Sequence, residues 1–205
     1  MNIEKGRNWG CSSPLPTDGV IVKDNKELWK KINRCKREGI DLPVFGLLGG
    51  DLWRTLGGRH QENRLYGEDA TTLDIDLGCV LLDGKIYWFC AHMLIGSKLK
   101  GKKFFISNVA HYGKANPTPK AHPGDGKFDM LELELSTIQL LKGRKRASTG
   151  SHIPHPEIKY KRVASEQFSF VKKMNVEIDG EKIGKFSNIV SVSYTHLTLP
   201  TTPYV

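Results

Sequence analysis

The strongest secondary-structure signal in the chain is the stretch LDIDLGCVLLDGKIYWF, residues 73–89. Its first part alternates leucine and isoleucine with aspartate, which is the two-residue period of a half-buried strand. Asp83-Gly84 then separates an aliphatic run from an aromatic one, and Asp-Gly between two such runs predicts a two-residue β-hairpin. The stretch therefore predicts antiparallel strands joined by a tight turn.

Short apolar runs continue beyond this hairpin and predict further strands. They cover residues 104–106, 128–135, 168–171 and 176–178. Asp179-Gly180 predicts another tight turn after the last of them, and residues 138–141 predict one short helix. From residue 71 onward we therefore expect mostly antiparallel β structure.

Nearer the start of the chain, the spacing of apolar residues indicates a strand, a helix and a second strand. Residues 20–22 and 43–48 are the two apolar runs. Between them, one face of an amphipathic helix is formed by Leu28, Trp29, Ile32 and Cys35. Asp24 or Asn25 is the candidate N-terminal cap, and Gly39 is the candidate stop. This β-α-β order predicts a parallel strand pair with a right-handed crossover.

Together the two patterns predict an α/β fold plus mostly antiparallel β structure, in two parts. A partial α/β lobe covers residues 1–70, and a β-rich, sandwich-like domain covers residues 71–190. The last segment, residues 191–205, resembles the in-frame translation of a transposon-end sequencing adapter. We expect this segment to be an artefactual tail, and the alternative is an edge strand in which Thr and Leu alternate.

Composition is typical of a globular protein and excludes several other classes. The 205 residues are 39% hydrophobic and 26% charged, and no apolar run approaches the ~18 residues that indicate a membrane-spanning helix. The four cysteines lack Cys-x-x-Cys spacing, so neither a zinc site nor a disulfide scaffold is predicted.

The net charge of +9 favours an anionic partner, such as nucleic acid, nucleotide phosphate or an acidic membrane surface. No nucleic-acid-binding motif accompanies this charge, so we expect no nucleic acid.

Three turns have residues suited to chemistry, and each is also explained as an ordinary tight turn. Gly49-Gly50-Asp51 follows a strand and precedes a helix, where backbone N–H groups can hold phosphate. Asp125-Gly126 and Asp129 lie in one turn, where a carboxylate and exposed backbone carbonyls could hold a hard cation. Asp179 and Glu181 flank a glycine, and such a carboxylate pair can hold Mg²⁺ or accept a hydroxyl proton.

Taken in order, these segments resemble those of the bacterial diacylglycerol kinase, or YegS-like lipid kinase, family. The resemblance runs from Pro43 to Ile183. The five matching segments are PVFGLLGGDLWRTLG (43–57), LDIDLG (73–78), HPGDGKFD (122–129), GSHIPHPE (150–157) and DGE (179–181). The first is similar to the family's second nucleotide-loop segment, the third to its structural magnesium turn, and the last to its C-terminal Asp-Gly-Glu.

The resemblance implies a nucleotide-binding α/β lobe followed by the lipid kinase C-terminal domain. It implies transfer of the γ-phosphate of ATP to a lipid hydroxyl, with ATP and Mg²⁺ as cofactors. The implied site residues are, for catalysis, Asp179 as the base with Glu181 and Asp76 supporting Mg²⁺; for nucleotide binding, Gly49, Gly50 and Asp51; and for a metal, Asp125. The implied partner is a lipid substrate or an anionic membrane surface, and the implied location is cytoplasmic and peripheral to the inner face of the membrane.

The chain departs from the family pattern where the nucleotide would bind. The family's Gly-Gly-Asp-Gly-Thr phosphate loop has no counterpart, because residues 23–27, after the first strand, are Lys-Asp-Asn-Lys-Glu. Side chains there obstruct the close backbone approach that glycine allows, and Glu27 repels a triphosphate. Phosphoryl transfer depends on positioning and charge neutralisation around the phosphates, so we expect impaired or absent kinase turnover by this chain. The alternative function is a non-catalytic descendant that binds a lipid or a nucleotide.

Overall fold

The computed structural model describes residues 10–58, 61–97, 101–134 and 158–201, with side chains as far as residue 193. The elements in chain order are β1 (Gly10–Ser12), β2 (Val20–Val22), α1 (Asn25–Glu38), β3 (Phe45–Leu47), α2 (Gly50–Thr55), a 3₁₀ helix (Glu62–Tyr66), β4 (Thr71–Leu82), β5 (Lys85–Phe89), β6 (His92–Ile95), β7 (Lys103–Ser107), β8 (Phe128–Leu133), β9 (Ile158–Val163), β10 (Ser165–Ile178) and β11 (Glu181–Thr201). The helix expected at 138–141 and the segment 150–157 lie outside the described residues.

Within these ranges, nine strands form one sheet and two form another. The order in the large sheet is β1-β4-β11-β10-β6-β7-β8-β9, with β5 paired to β4, and all of these pairings are antiparallel. The small sheet is the parallel pair β2–β3, joined through α1. The predicted fold class is therefore confirmed, both in its β-α-β unit and in its larger antiparallel region.

Helix α1 begins and ends at the residues that its sequence indicates. The Asp24 carboxylate accepts a hydrogen bond of 2.8 Å from the Glu27 N–H, so Asp24 is the cap. Gly39 ends the helix in the left-handed region, at φ 67°. Leu28 and Ile32 are buried on its inner face. No helix in the described ranges is long and apolar enough to cross a membrane.

Strand β4 contributes to two hydrophobic cores. Ile75 and Leu77 point to one face, where they pack with the β-α-β unit and with α2. The residues of this core include Val22, Leu28, Ile32, Phe45, Leu47 and, from α2, Leu52. Val80 and Leu82 point to the other face and pack into the core of the large sheet, with Phe89, Met93, Ile106, Phe128, Val176 and Ile189. Successive residues of a strand face opposite sides. β4 can therefore pack against the β-α-β unit with one set of side chains and into the core of the large sheet with the other.

Both predicted Asp-Gly turns are present, with left-handed residues at both central positions. Asp83 and Gly84 have φ 43° and 89°, and Asp179 and Gly180 have φ 46° and 83°. Two consecutive positive φ angles are the geometry that suits the right-handed twist of a hairpin. The Asp83 carboxylate also accepts hydrogen bonds from two N–H groups of β11, at 2.8 and 3.2 Å.

Strand β10 is one continuous strand where the sequence suggests two. Its register against β11 jumps from Ser169↔Asn188 to Met174↔Phe186, which places residues 170–173 in a bulge. Two consecutive lysines in this bulge break the apolar pattern of the strand. The polar interruption therefore marks a bulge and not a strand end.

The two predicted segment boundaries lie within continuous strand pairing. β4 begins beside the predicted boundary at residue 70, and β1 pairs with β4 across it. β11 pairs with β4 as far as Thr201↔Thr71. The division into two domains and the artefactual origin of residues 191–205 both stay predictions.

Gly78 provides a test of the packing around β4. A Cβ at this position would collide with the ring of Phe89, which is buried. We expect Gly78→Ala to lower the free energy of unfolding by about 1–3 kcal/mol, measured by chemical denaturation. Gly67→Ala is the matched control, because Gly67 has φ −84° and a Cβ there would lie 3.7 Å from the Arg64 carbonyl oxygen. Equal losses in both variants would contradict this account of β4.

Candidate functional site

Asp179 lies in the turn between β10 and β11, and its carboxylate is buried among backbone N–H groups. Its Oδ1 accepts hydrogen bonds from the N–H groups of Ala91 and His92, each at 2.9 Å. Its Oδ2 accepts from the N–H of Cys90 at 2.8 Å and from the thiol of the same residue at 3.2 Å. Asp179 therefore holds the connection between β5 and β6 in place.

This environment decides what Asp179 can do chemically. Burial raises the pKa of Asp179, and the charge of His92 and the backbone N–H groups act in the opposite direction. Each oxygen of the Asp179 carboxylate already accepts two hydrogen bonds. Like the side chain of Asp83, this side chain therefore serves to bind backbone. The role of catalytic base stays a prediction, and a substrate hydroxyl would have to displace one of these bonds.

Asp51 and His92 form an acid–histidine pair next to this turn. Asp51 lies in the first turn of α2, and its Oδ2 is 2.9 Å from His92 Nε2. Its Oδ1 accepts from the Gly113 N–H at 2.7 Å. Burial raises the pKa of Asp51, but the hydrogen bond and charge of His92, with the Gly113 N–H, outweigh it and leave the pKa below its ordinary value. Asp51 is therefore an ionised acceptor.

His92 connects Asp51 to Asp179. Its ring is in edge contact with Tyr112, with ring centres 4.9 Å apart, and lies 5.7 Å from the ring of Phe105. Its ring nitrogen binds Asp51, while its backbone N–H binds Asp179. Both carboxylates are thus fixed through one residue at the start of β6.

The start of α2 is bound by a side chain from the other helix. Asn25 Oδ1 accepts hydrogen bonds from the N–H groups of Asp51 and Leu52, at 3.0 and 3.3 Å. A Cβ at Gly50, which has φ 98°, would collide with Asn25, and one at Gly49 would collide with the Lys23 carbonyl. The N–H groups that a phosphate would need here are therefore bound to Asn25, and the residues do not fit ATP in this arrangement. The nucleotide-binding role of Gly49, Gly50 and Asp51 stays a prediction.

Glu181 is paired with a lysine of α1. Lys26 Nζ lies 2.7 Å from Glu181 Oε2. This hydrogen bond lowers the pKa of Glu181 and raises that of Lys26. The carboxylate predicted to support Mg²⁺ therefore already has a cationic partner.

Asp76 is buried in β4 and binds the turn at 123–126. Its Oδ2 accepts from the Gly126 N–H at 2.6 Å, and its N–H donates to the Pro123 carbonyl at 2.6 Å. Burial raises the pKa of Asp76, and the Gly126 N–H opposes that rise. Asn108 Nδ2 donates to the carbonyls of Asp76 and Cys90, which links this turn to the one held by Asp179.

Asp125 and Asp129 share one arginine. Arg162 Nη2 is paired with Asp125 Oδ2, and Arg162 Nε lies 3.5 Å from Asp129 Oδ2. Asp129 is 0% exposed, and neither of its oxygens has a hydrogen bond among the described residues. Burial and, to a smaller extent, the charge of Asp125 raise the pKa of Asp129 to about 7, although Arg162 lowers it.

The predicted metal ligands do not fit a Mg²⁺ ion in this arrangement. Asp125 is paired with Arg162, Glu181 with Lys26, and Asp76 with a backbone N–H. Among the described residues, no three His, Cys, Asp or Glu side chains converge as a metal site requires. The metal role of these carboxylates stays a prediction.

The fold brings some of the predicted residues together and separates others. Asp51 and Asp179 are both bound to His92. Glu181 follows Asp179 by two residues and is paired with Lys26 of α1. We call the group formed by Asp51, His92, Asp179 and Glu181 the lobe junction. It lies where α1 and α2 meet the large sheet. Asp76 and Asp125 belong instead to the adjacent turn at 123–129.

Three residues that shape these sites do not emerge from the sequence analysis. His92 interrupts the run WFCAHMLI, and a polar residue within an apolar run is the signal that could have found it. Asn25 emerges only as a candidate cap of α1. Arg162 belongs to a basic cluster that is typical of a solvated surface.

Comparisons with known proteins identify both a family and a fold. The family model described as the YegS C-terminal NAD kinase beta sandwich-like domain matches residues 82–200. A diacylglycerol kinase from Bacillus anthracis str. Sterne is similar in structure, with 15% identity and a TM-score of 0.64 over 91% of this chain and 77% of that one. A protein of the same strain assigned as a diacylglycerol kinase has 15% identity and a TM-score of 0.66 over 91% and 78%. No curated protein sequence matches the chain.

Removal of the Asn25 side chain tests its part in the lobe junction. We expect Asn25→Ala to lower the free energy of unfolding by about 1–2 kcal/mol, because two N–H groups of α2 lose their acceptor. Hydrogen exchange at the Asp51 and Leu52 amides should accelerate as well. Asn63→Ala, at an exposed position, is the control and should change little. Unchanged exchange at both amides would show that Asn25 does not cap α2.

Asp129 should make stability depend on pH near neutrality. Its pKa of about 7 in the folded chain exceeds the ordinary value of 3.8. The folded state therefore binds the proton more tightly, and the resulting stability is present at low pH and lost as pH rises through about 7. We expect a loss of about 1–3 kcal/mol between pH 5 and pH 8.5, measured by urea denaturation.

The Asp129→Asn variant separates this effect from other titrations. The variant should show a flatter profile over the same pH range, whereas the exposed-site control Asp41→Asn should keep the wild-type profile. A profile that is equally steep in Asp129→Asn would mean that another group causes the pH dependence.

Proposed function

The chain belongs to the YegS-like diacylglycerol kinase family, and we propose that it binds a lipid with a free hydroxyl group at the Asp51–His92 pair. The observation that carries this proposal is the pair itself, in which Asp51 Oδ2 and His92 Nε2 lie 2.9 Å apart. Asp51 keeps 16% of its side chain exposed, whereas Asp179 is buried. Of these two carboxylates, Asp51 is thus the one that a hydroxyl reaches with less rearrangement.

This geometry supports a role for the pair in activating the hydroxyl that would accept the phosphoryl group. Transfer of a phosphoryl group to a hydroxyl requires the hydroxyl to lose its proton, and a positioned carboxylate can take it. Asp51 is ionised, so it orients the lipid hydroxyl and accepts that proton as the phosphoryl group arrives. His92 fixes the direction of the Asp51 carboxylate, and Asp179 is a positioning residue that holds the backbone of His92.

Family ancestry alone supports ATP as the donor and Mg²⁺ as its counter-ion. Mg²⁺, when bound with ATP, neutralises the phosphate charge during transfer. The N–H groups of α2 are bound to Asn25, and the predicted carboxylate ligands are paired with Lys26 and Arg162. For this chain's own residues we therefore propose a role in binding the lipid, and none in binding the nucleotide.

The partner that best suits the charge of the chain is an anionic lipid surface. The net charge is +9, and basic residues near an acidic leaflet each contribute on the order of 1 kcal/mol to binding. Peripheral docking on the cytoplasmic side of a membrane would bring the lipid hydroxyl to the protein without extraction of the whole lipid.

A second candidate function is lipid binding without phosphoryl transfer. Asn25 favours it, because its side-chain oxygen occupies the two backbone donors at the start of α2. Loss of one preorganised donor at a reacting phosphate raises the barrier by about 3–4 kcal/mol in well-studied enzymes. A chain with both donors occupied would retain the lipid site and lose turnover.

One assay distinguishes the two candidates. Purified protein is incubated with labelled ATP, Mg²⁺ and diacylglycerol in phosphatidylglycerol vesicles, and lipid phosphorylation and vesicle co-sedimentation are both measured. For the kinase, we expect turnover that falls about 100-fold or more in Asp51→Asn and is unchanged in Asp41→Asn, an exposed-site control of the same chemistry.

Each result selects one reading. Turnover that survives Asp51→Asn would overturn the assignment of Asp51 as the acceptor of the proton. Absent turnover with binding that depends on diacylglycerol would select the second candidate. Absence of both turnover and vesicle binding would overturn the proposal of a lipid site.

A further inference from the structure

The turn at 123–129 contains a buried carboxylate whose charge partner comes from another strand. Asp129 is 0% exposed, and both of its oxygens lack a hydrogen bond among the described residues. Arg162 Nε approaches its Oδ2 to 3.5 Å. A buried, ionised carboxylate needs a counter-charge, and here the partner that makes an ion pair with it is an arginine.

The same guanidinium also reaches the carboxylate of the turn itself. Arg162 Nη2 is paired with Asp125 Oδ2. A guanidinium presents its N–H donors in a fixed planar fork, so one side chain can bridge two carboxylates. The other charged side chain that influences Asp129 is Lys120, whose charge favours the ionised form.

The register of the sheet places Arg162 at this position. In the pairing of β8 with β9, Asp129 lies directly opposite Arg162. Side chains at directly opposed positions have neighbouring Cβ atoms on one face of the sheet. The arginine is therefore held against the two carboxylates by the strand pairing.

We propose that Arg162 occupies the position of a divalent cation at the 123–129 turn, so that this chain needs no metal there. Arg162 supplies one positive charge to the two carboxylates of this cluster, Asp125 and Asp129, where a divalent cation would supply two. A metal ion entering between the carboxylates would have to displace the guanidinium and would meet its positive charge. The resemblance of this segment to a magnesium turn thus does not extend to a metal requirement. The proposal does not depend on the proposed lipid function.

The proposal predicts that removal of the arginine makes the turn dependent on a cation. Thermal unfolding is measured at about pH 8.5, where Asp129 is ionised, in EDTA and in millimolar Mg²⁺ or Ca²⁺. The wild-type chain should unfold at the same temperature in both. Arg162→Met should unfold roughly 4–12 °C lower in EDTA and recover much of that loss when the divalent cation is added.

A double variant serves as the matched control. Arg162→Met with Asp129→Asn removes both the arginine and the buried charge, so it should lose less stability than Arg162→Met and should not respond to cations. Arg162→Lys keeps one positive charge without the planar fork, and it supplies an intermediate response if Arg162→Met does not fold.

Two results would overturn the proposal. Stabilisation of the wild-type chain by Mg²⁺ or Ca²⁺ that EDTA removes and that Asp129→Asn abolishes would show that a metal binds beside Arg162. A loss of stability in Arg162→Met that no divalent cation restores, or no loss at all, would show that the arginine does not act in place of a cation. Calorimetric titration of the same variants with Ca²⁺ gives an independent measure, with binding expected in Arg162→Met and absent in the double variant.

Discussion

Strand β4 belongs to two hydrophobic cores at once, and the arrangement of the lobe junction depends on this. Its residues at 75 and 77 are buried against the β-α-β unit, and those at 80 and 82 are buried in the large sheet. Because the side chains of a strand alternate, a shift of one residue in register would turn both sets to the wrong side. β4 therefore helps to fix the position of α2 relative to the sheet, together with the contacts of Asp51 to His92 and Gly113.

Most carboxylates with a conspicuous position in the sequence are used to bind backbone. Asp24 caps α1, Asp83 joins one hairpin to β11, Asp76 binds the Gly126 N–H, and Asp179 binds three consecutive N–H groups. A carboxylate used in this way stabilises a turn but has little capacity left for a ligand. Asp51 differs because it binds the side chains of His92 and Asn25 as well as the Gly113 N–H, and because part of it remains exposed.

Local features of the fold could be predicted from the sequence, and long-range pairings could not. The cap at Asp24, the stop at Gly39 and the hairpin at Asp83 each depend on residues within a few positions of one another. The hydrogen bonds of Asn25 join residues 26 and 27 positions apart, and they depend on how two helices meet. No periodicity or spacing encodes such a contact.

The same reason explains why the candidate site was predicted only in part. Asp179 and Asp51 were identified by residue type and turn position, but the histidine between them emerges only when β6 is placed beside α2. Likewise, Arg162 and Asp129 are opposed only in the register of β8 and β9, which are separated by residues 134–157 in sequence.

Strand β9 also has one strand partner in the described part of the sheet, and its outward positions include Lys159 and Lys161. Charged side chains on an edge strand disfavour its pairing with a strand of a second copy.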